Sequence, residues 1–182
     1  GLAQLSVVVD PQVLYSSYTY TTSTSQTMKR HFDRLFQDIH SEGVEKSIVD
    51  IGSNDGLLLE SLNKTGWQTL GIDPAQNLAE LAMHRGVKTM AGYFGQVMAD
   101  NAKVALGKHP AVILARHCFA HMDDWREFMR GIEVLADKAT LVCIEVPYVK
   151  DLLERVEFDS VYHEHLSYVS LKPIVHLLKA TP

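Results

Sequence analysis

The stretch Val49-Asp50-Ile51-Gly52-Ser53-Asn54-Asp55-Gly56, running into Leu57 to Asn63, decides the fold. Ser47 to Ile51 is short and mostly apolar, as a strand buried on both faces reads. Gly52 cuts it off, and helical spacing resumes at Leu57. Gly52 and Gly56 let the backbone pass where a β-carbon would collide with a bound molecule, and the next helix offers unsatisfied N–H groups in its first turn. Strand, glycine turn and helix open a nucleotide-binding α/β fold; a tight strand–helix turn with no ligand is the plainer reading.

Outward from there the alternation continues. Thr69 to Ile72 is a second strand ended by Asp73-Pro74, and Gln76 to Arg85 a helix stopped by Gly86. Val87 to Met90 is a third strand, Phe94 to Leu106 a helix and Ala111 to Leu114 a fourth strand. Asp124 to Leu135 is a helix with Trp125, Phe128 and Met129 in its core face, and Thr140 to Val146 is a fifth strand. Upstream, Met28, Phe32, Leu35, Phe36 and Ile39 have helical spacing between Gln26 and His40, with Ser25 placed as N-cap. Strands separated by helices make a parallel sheet covered on both faces. Short right-handed crossovers leave a doubly wound, Rossmann-like sandwich. Ser167 to Ser170 can add a strand, and Lys172 to Lys179 reads as a helix cut short, so the sheet is expected to be truncated at its C-terminus.

Residues 1–25 read as an N-terminal arm or linker outside the domain at 26–182. Val7-Val8-Val9 suggests a short strand ended by Asp10-Pro11, and every residue from Tyr15 to Ser25 is Tyr, Ser or Thr. That run is too polar for a core strand, yet Tyr15, Tyr18 and Tyr20 carry more aromatic mass than a plain linker. The net charge of −5, with no Lys/Arg-dense run, argues against nucleic acid as a partner. No apolar run approaches the roughly 20 residues of a membrane span. The first residues lack a signal-peptide pattern, which leaves the cytoplasm as the expected compartment. Cys118 and Cys143 sit in or beside apolar runs as reduced thiols without metal-ligand spacing.

Asp73, at the end of the second strand, is placed to accept hydrogen bonds from both hydroxyls of a ribose and to repel a 2′-phosphate. A pyrophosphate cofactor asks for a third glycine, which is missing, and would stand close to Asp55. S-adenosylmethionine carries no phosphate, and its ammonium group favours a nearby carboxylate such as Asp55 or Asp50. The acidic turn therefore points to the sulfonium cofactor.

VDIGSNDG followed by LGIDPAQNLAELA resembles the class I methyltransferases. Tyr18-Thr19-Tyr20, the run Ala115-Arg116-His117-Cys118-Phe119-Ala120-His121, and the segment from Glu145-Val146-Pro147-Tyr148 through Glu157 to Tyr168 narrow the resemblance. They are similar to the C-methyltransferases that act on nucleotide-linked deoxysugars, from about Pro11 onward. The resemblance implies S-adenosylmethionine as cofactor, S-adenosylhomocysteine as product, and a nucleotide sugar as substrate. It assigns Gly52, Ser53, Asn54, Asp55, Gly56, Asp73, Pro74 and Arg116 to the cofactor. Members of that family carry asparagine where His117 stands here. They also have a cysteine-rich zinc module before the Tyr/Ser/Thr run and further strands and a domain after this chain's last residue. The chain is thus expected to be a fragment, with zinc only in the module it lacks.

Tyr162-His163-Glu164-His165 packs four titratable groups together, a density that suggests a cleft. In extended backbone Tyr162 and Glu164 would face away from His163 and His165; in a turn all four could converge. A metal site would need a third ligand that is not evident nearby, and an exposed polar loop is the plain alternative. Acid–base work is the chemical reading, because methylating carbon requires an enolate and histidine suits proton abstraction near neutrality. The resemblance makes His165 the general base, Tyr162 a donor near the enolate, Glu164 an orienting group, His121 a positioning residue, and one of the linker tyrosines, Tyr18 foremost, a residue folding over the site. His121 has a second reading, as the start of a helix capped by Asp123 or Asp124. Phe94 either lines an adenine pocket or packs in the core. The favoured function is C-methylation of a nucleotide-linked keto-deoxysugar; alternatives are O- or N-methylation of another small molecule, or a non-catalytic or NAD-type nucleotide-binding domain.

Overall fold

A computed structural model of the 182-residue chain describes residues 2–180. The elements are, in order, β1 (Leu2–Gln4), α1 (Pro11–Tyr15), α2 (Gln26–Ser41), β2 (Ser47–Ile51), α3 (Leu57–Asn63), β3 (Gln68–Asp73), α4 (Gln76–His84) and β4 (Thr89–Ala91). They continue with α5 (Gln96–Leu106), β5 (Val112–Arg116), α6 (Trp125–Leu135), β6 (Leu141–Glu145), α7 (Val149–Arg155), β7 (Ser167–Val169) and α8 (Leu171–Ala180). Short 3₁₀ turns lie at Thr22–Thr24, Phe119–His121 and Phe158–Ser160.

Five strands form one sheet in the order β4-β3-β2-β5-β6, and every pairing in it is parallel. Because side chains alternate across a strand, β2 sends Val49 and Ile51 into one core with Phe128, Ile132 and Leu135 of α6. Ile48 goes into the other with Phe32 of α2 and Leu58, Leu59 and Leu62 of α3. Full burial of each such aliphatic or aromatic side chain contributes about 1.5–3 kcal/mol. Helix starts are fixed locally: Ser25 Oγ accepts the Met28 N–H at 3.2 Å, and Asp124 accepts the N–H groups of Arg126 and Glu127. The chain leaves β3 and β4 on one side of β2 and returns on the other as β5, so a crevice opens between the carboxyl ends of β2 and β5, where doubly wound sheets take their ligands.

The N-terminal residues differ from the sequence reading. Val7, Val8 and Val9 are exposed and form no strand; instead Asp10 accepts the Gln12 N–H at 2.8 Å and starts α1. Strand pairing occurs at Leu2–Gln4, antiparallel to β7. Among the described residues no helix is long and apolar enough to cross a membrane, and no group of three or more His, Cys, Asp or Glu is arranged to hold a metal ion.

Candidate functional site

A cavity of about 880 Å³ opens at the carboxyl ends of the strands, beneath the N-terminal arm. At its glycine end, Gly52 has φ +73° and lies so close to the next loop that a β-carbon would stand 2.7 Å from Cys118 Cβ. Gly52, Asn54, Asp73, Pro74 and Arg116 line the cavity. Asp73 Oδ2 accepts the Asn54 N–H at 2.7 Å and Oδ1 the Ala75 N–H at 2.9 Å. Burial raises the Asp73 carboxyl to about 6, against the opposing pull of those two N–H groups.

Ser53, Asp55 and Gly56, also expected at the cofactor, lie beside the cavity and not among the described residues that line it. Asp55 is fully buried, accepts the Thr22 hydroxyl at 2.6 Å and the Ser23 N–H at 3.3 Å, and pairs with Arg85 at 3.2 Å. It anchors the arm. At Gly56 a β-carbon would meet Ala82 at 2.9 Å, so that glycine serves helix packing. Ser53 is buried with its hydroxyl 2.5 Å from where a β-carbon on Gly71 would be. Asp50, the other acid invoked for a cationic ligand, is fully buried and bonded to Arg116 at 2.7 Å. Its Oδ1 and the Arg116 Nε find no partner among the described residues. Burial raises the Asp50 carboxyl, with Arg116 opposing.

At the far end the arm and the turn at 162–165 meet. The turn lets Tyr162, Glu164 and His165 converge on the cavity, while His163 is exposed. Tyr18 donates its hydroxyl to Glu164 Oε2 at 2.6 Å. Tyr162 Oη lies 2.9 Å from His165 Nε2, and His165 Nδ1 lies 3.0 Å from the Ser160 carbonyl. A carbonyl only accepts, so Nδ1 carries the proton and Nε2 is the basic nitrogen, receiving the Tyr162 O–H. Burial lowers the His165 pKa, which keeps the ring neutral. His121, on the 3₁₀ turn after β5, packs edge to face on His165 with ring centres 5.1 Å apart. Asp124 caps α6, while His121 lines the cavity. Phe94 lines the cavity and packs on Phe128 with ring centres 5.5 Å apart.

Three groups in or around this site have no role of their own in the sequence reading. Tyr15 Oη lies 2.9 Å from His121 Nδ1; its membership of the Tyr-rich run was the available signal. Asn77 holds the Tyr18 backbone at two points, accepting its N–H at 3.3 Å and donating to its carbonyl at 2.7 Å. Glu145, quoted only within a motif, sits between His31 and His117 at 2.8 and 2.6 Å. Burial pushes its carboxyl up, but the bonds from the two histidines prevail and hold it at about 2.

The methyltransferase domain family matches residues 20–181. The chain belongs to that family. This methyltransferase domain is 33% identical to the C-methyltransferase NovU of Streptomyces niveus over 98% of its own residues and 43% of the relative's, so it spans less than half the length of that protein. Among solved structures, a SAM-dependent methyltransferase from Archaeoglobus fulgidus superposes with a TM-score of 0.67 at 18% identity, over 84% of this chain and 67% of the other. The plantazolicin methyltransferase BpumL, solved in complex with SAH, superposes with a TM-score of 0.57 at 18% identity, over 74% and 54% of the two chains. The methyltransferase domain thus has the sheet and crevice of that fold.

Proposed function

We propose that this domain binds S-adenosylmethionine and methylates a carbon of a nucleotide-linked keto-deoxysugar through an enolate. The observation that carries this reading is that one cavity joins a buried ribose-type carboxylate, Asp73, to a neutral histidine, His165, whose basic Nε2 is paired with a tyrosine of the same cavity.

The residues at the glycine end fit the cofactor. Gly52 leaves backbone accessible where any side chain would collide with Cys118. Asp73 has lone pairs left for a ribose diol after accepting its two N–H groups. Arg116 lines the cavity, and its buried Nε, without a partner among the described residues, is a donor left for a bound group. With Asp50 and Asp55 neutralised inside the fold, the cavity's acidic character comes from other groups, including Asp73, Asp123, Asp124 and Glu127. When bound, the cofactor supplies an electrophilic methyl group.

The chain's own residues supply the nucleophile. A carbon beside a ketone is acidic enough to lose a proton to a well-placed base near neutral pH. The only proton of the Tyr162 hydroxyl is directed at His165 Nε2. Tyr162 is therefore a relay: its oxygen takes the substrate proton as its own passes to Nε2, and the Ser160 carbonyl holds the resulting imidazolium through Nδ1–H. This replaces the expected role of Tyr162 as donor to the enolate. Glu164 fixes Tyr18, and Tyr18 brings the arm over the substrate. The test is to incubate the enzyme with S-adenosylmethionine and nucleotide-linked keto-deoxysugars and locate the new methyl by ¹³C NMR. A C-methyl product supports the reading; an O- or N-methyl product, or tighter binding of NAD than of S-adenosylhomocysteine, overturns it.

A further inference from the structure

An enolate needs a hydrogen-bond donor at its oxygen, and two of the tyrosine hydroxyls that line the cavity beside His165 are already committed. Tyr18 gives its proton to Glu164 at 2.6 Å, and Tyr162 gives its own to His165 at 2.9 Å. A further pair at the cavity is Tyr15 Oη and His121 Nδ1, 2.9 Å apart.

Two proton arrangements fit that distance, and chemistry selects one. A phenol is a good donor and a poor acceptor, whereas an unprotonated imidazole nitrogen is a strong acceptor, so the hydroxyl proton points at Nδ1. Burial, with Glu164 and Asp73 nearby, raises the Tyr15 hydroxyl pKa, so it keeps that proton. Burial, aided by His165 and His117, lowers His121 to about 4, so its ring is neutral and carries one N–H. With Nδ1 accepting, that N–H is at Nε2. Nε2 has no hydrogen bond among the described residues, yet it is absent from the buried polar atoms left without a partner. It is therefore open, on a residue that lines the cavity.

We propose that Tyr15 is a positioning residue that holds His121 as its Nε2–H tautomer and so makes His121 the hydrogen-bond donor to the enolate oxygen. The proposal rests on the enolate reading above and deepens it. The two histidines, 5.1 Å apart, are held in opposite tautomers by different partners. The Ser160 carbonyl leaves His165 with a basic Nε2, and the Tyr15 hydroxyl leaves His121 with an acidic one. Were His121 to change tautomer, a lone pair would face the developing anion. Loss of one such donor costs roughly 10²–10³-fold in turnover in enzymes that stabilise an oxyanion.

The test is long-range ¹H–¹⁵N NMR of histidine-labelled enzyme at pH 7, with His121 assigned by its loss in His121→Asn. Wild type should show the His121 proton on Nε2, with Nδ1 as the pyridine-type nitrogen. Tyr15→Phe keeps the ring packed on Tyr18 and Tyr93 but should leave a mixture of the two tautomers. Its kcat should fall at least ten-fold, with KM for the sugar and affinity for S-adenosylhomocysteine within two-fold of wild type. A proton on Nδ1 in wild type, or wild-type kcat in Tyr15→Phe, overturns the proposal. The tautomer is read on unmodified enzyme without substrate. A failure of the C-methylation reading shows instead as methylation at oxygen or nitrogen, so the two failures are distinguishable.

Discussion

Asp73 sets opposite demands on folding and on binding, and the two can be separated. Its carboxyl is raised from an ordinary 3.8 to about 6, which corresponds to about 3 kcal/mol. An acid whose folded pKa lies above its unfolded value contributes stability that is complete below the unfolded pKa and lost as pH rises through the folded one. Asp73 alone therefore makes the unliganded protein more stable as pH falls from 7 towards 4. Ribose hydroxyls, in contrast, donate best to the ionised form, which falls from about nine-tenths of molecules at pH 7 to about one-tenth at pH 5. Affinity for S-adenosylhomocysteine should consequently weaken roughly ten-fold over that interval. In Asp73→Asn one of the two N–H groups of Asn54 and Ala75 loses its acceptor, costing about 1–3 kcal/mol. Relief of the buried charge offsets this, and stability at pH 7 should change little. Affinity should fall about 10–100-fold through loss of charge-assisted bonds to the diol and become flat in pH. Titration calorimetry between pH 5 and 7, with urea unfolding of both proteins, reads all of this. Affinity in Asp73→Asn within two-fold of wild type, with the wild-type slope in pH, would refute the ribose assignment.

Other predictions follow from single contacts. Arg116→Leu strips the last partner from a fully buried Asp50 and should cost about 3–5 kcal/mol in urea unfolding. Because the Asp50 carboxyl is already raised, the penalty should shrink as pH falls and the acid is protonated; a small, pH-independent loss contradicts this. Gly52→Ala places a β-carbon 2.7 Å from Cys118 Cβ on a backbone at φ +73°. It should cost at least about 1–3 kcal/mol from the left-handed conformation alone, with weakened S-adenosylhomocysteine binding by calorimetry. His165→Asn should lower turnover by orders of magnitude with cofactor affinity almost unchanged; near-normal turnover would remove His165 as the base.

The parallel sheet was legible because strands buried on both faces lose polar alternation, and the helix starts because Ser25 and Asp124 are local caps. Local pattern does not carry long-range pairing, so Val7 to Val9 looked like a strand while the actual ladder joins Leu2–Gln4 to Ser167–Val169. The glycine turn is legible as a turn, but the partners of Asp50 and Asp55 are not. Asp50 and Asp55 are claimed by Arg116, Arg85 and Thr22, residues that only the fold brings beside them. Asp73 lines the cavity because it stands at a strand end, and that position is legible in the sequence. Tyr15 and Tyr18 looked alike in a run of Tyr, Ser and Thr. What separates them is the partner each reaches across the cavity, His121 for one and Glu164 for the other.

The enolate is the step on which the chemistry turns, and isotope exchange reads it without methyl transfer. A nucleotide-linked keto-deoxysugar incubated with the enzyme in D₂O, with S-adenosylhomocysteine and no methyl donor, should take up deuterium at a carbon beside the ketone. His165→Asn should abolish that uptake. Absence of exchange from an enzyme that still methylates the sugar would contradict the proposed base and the enolate together.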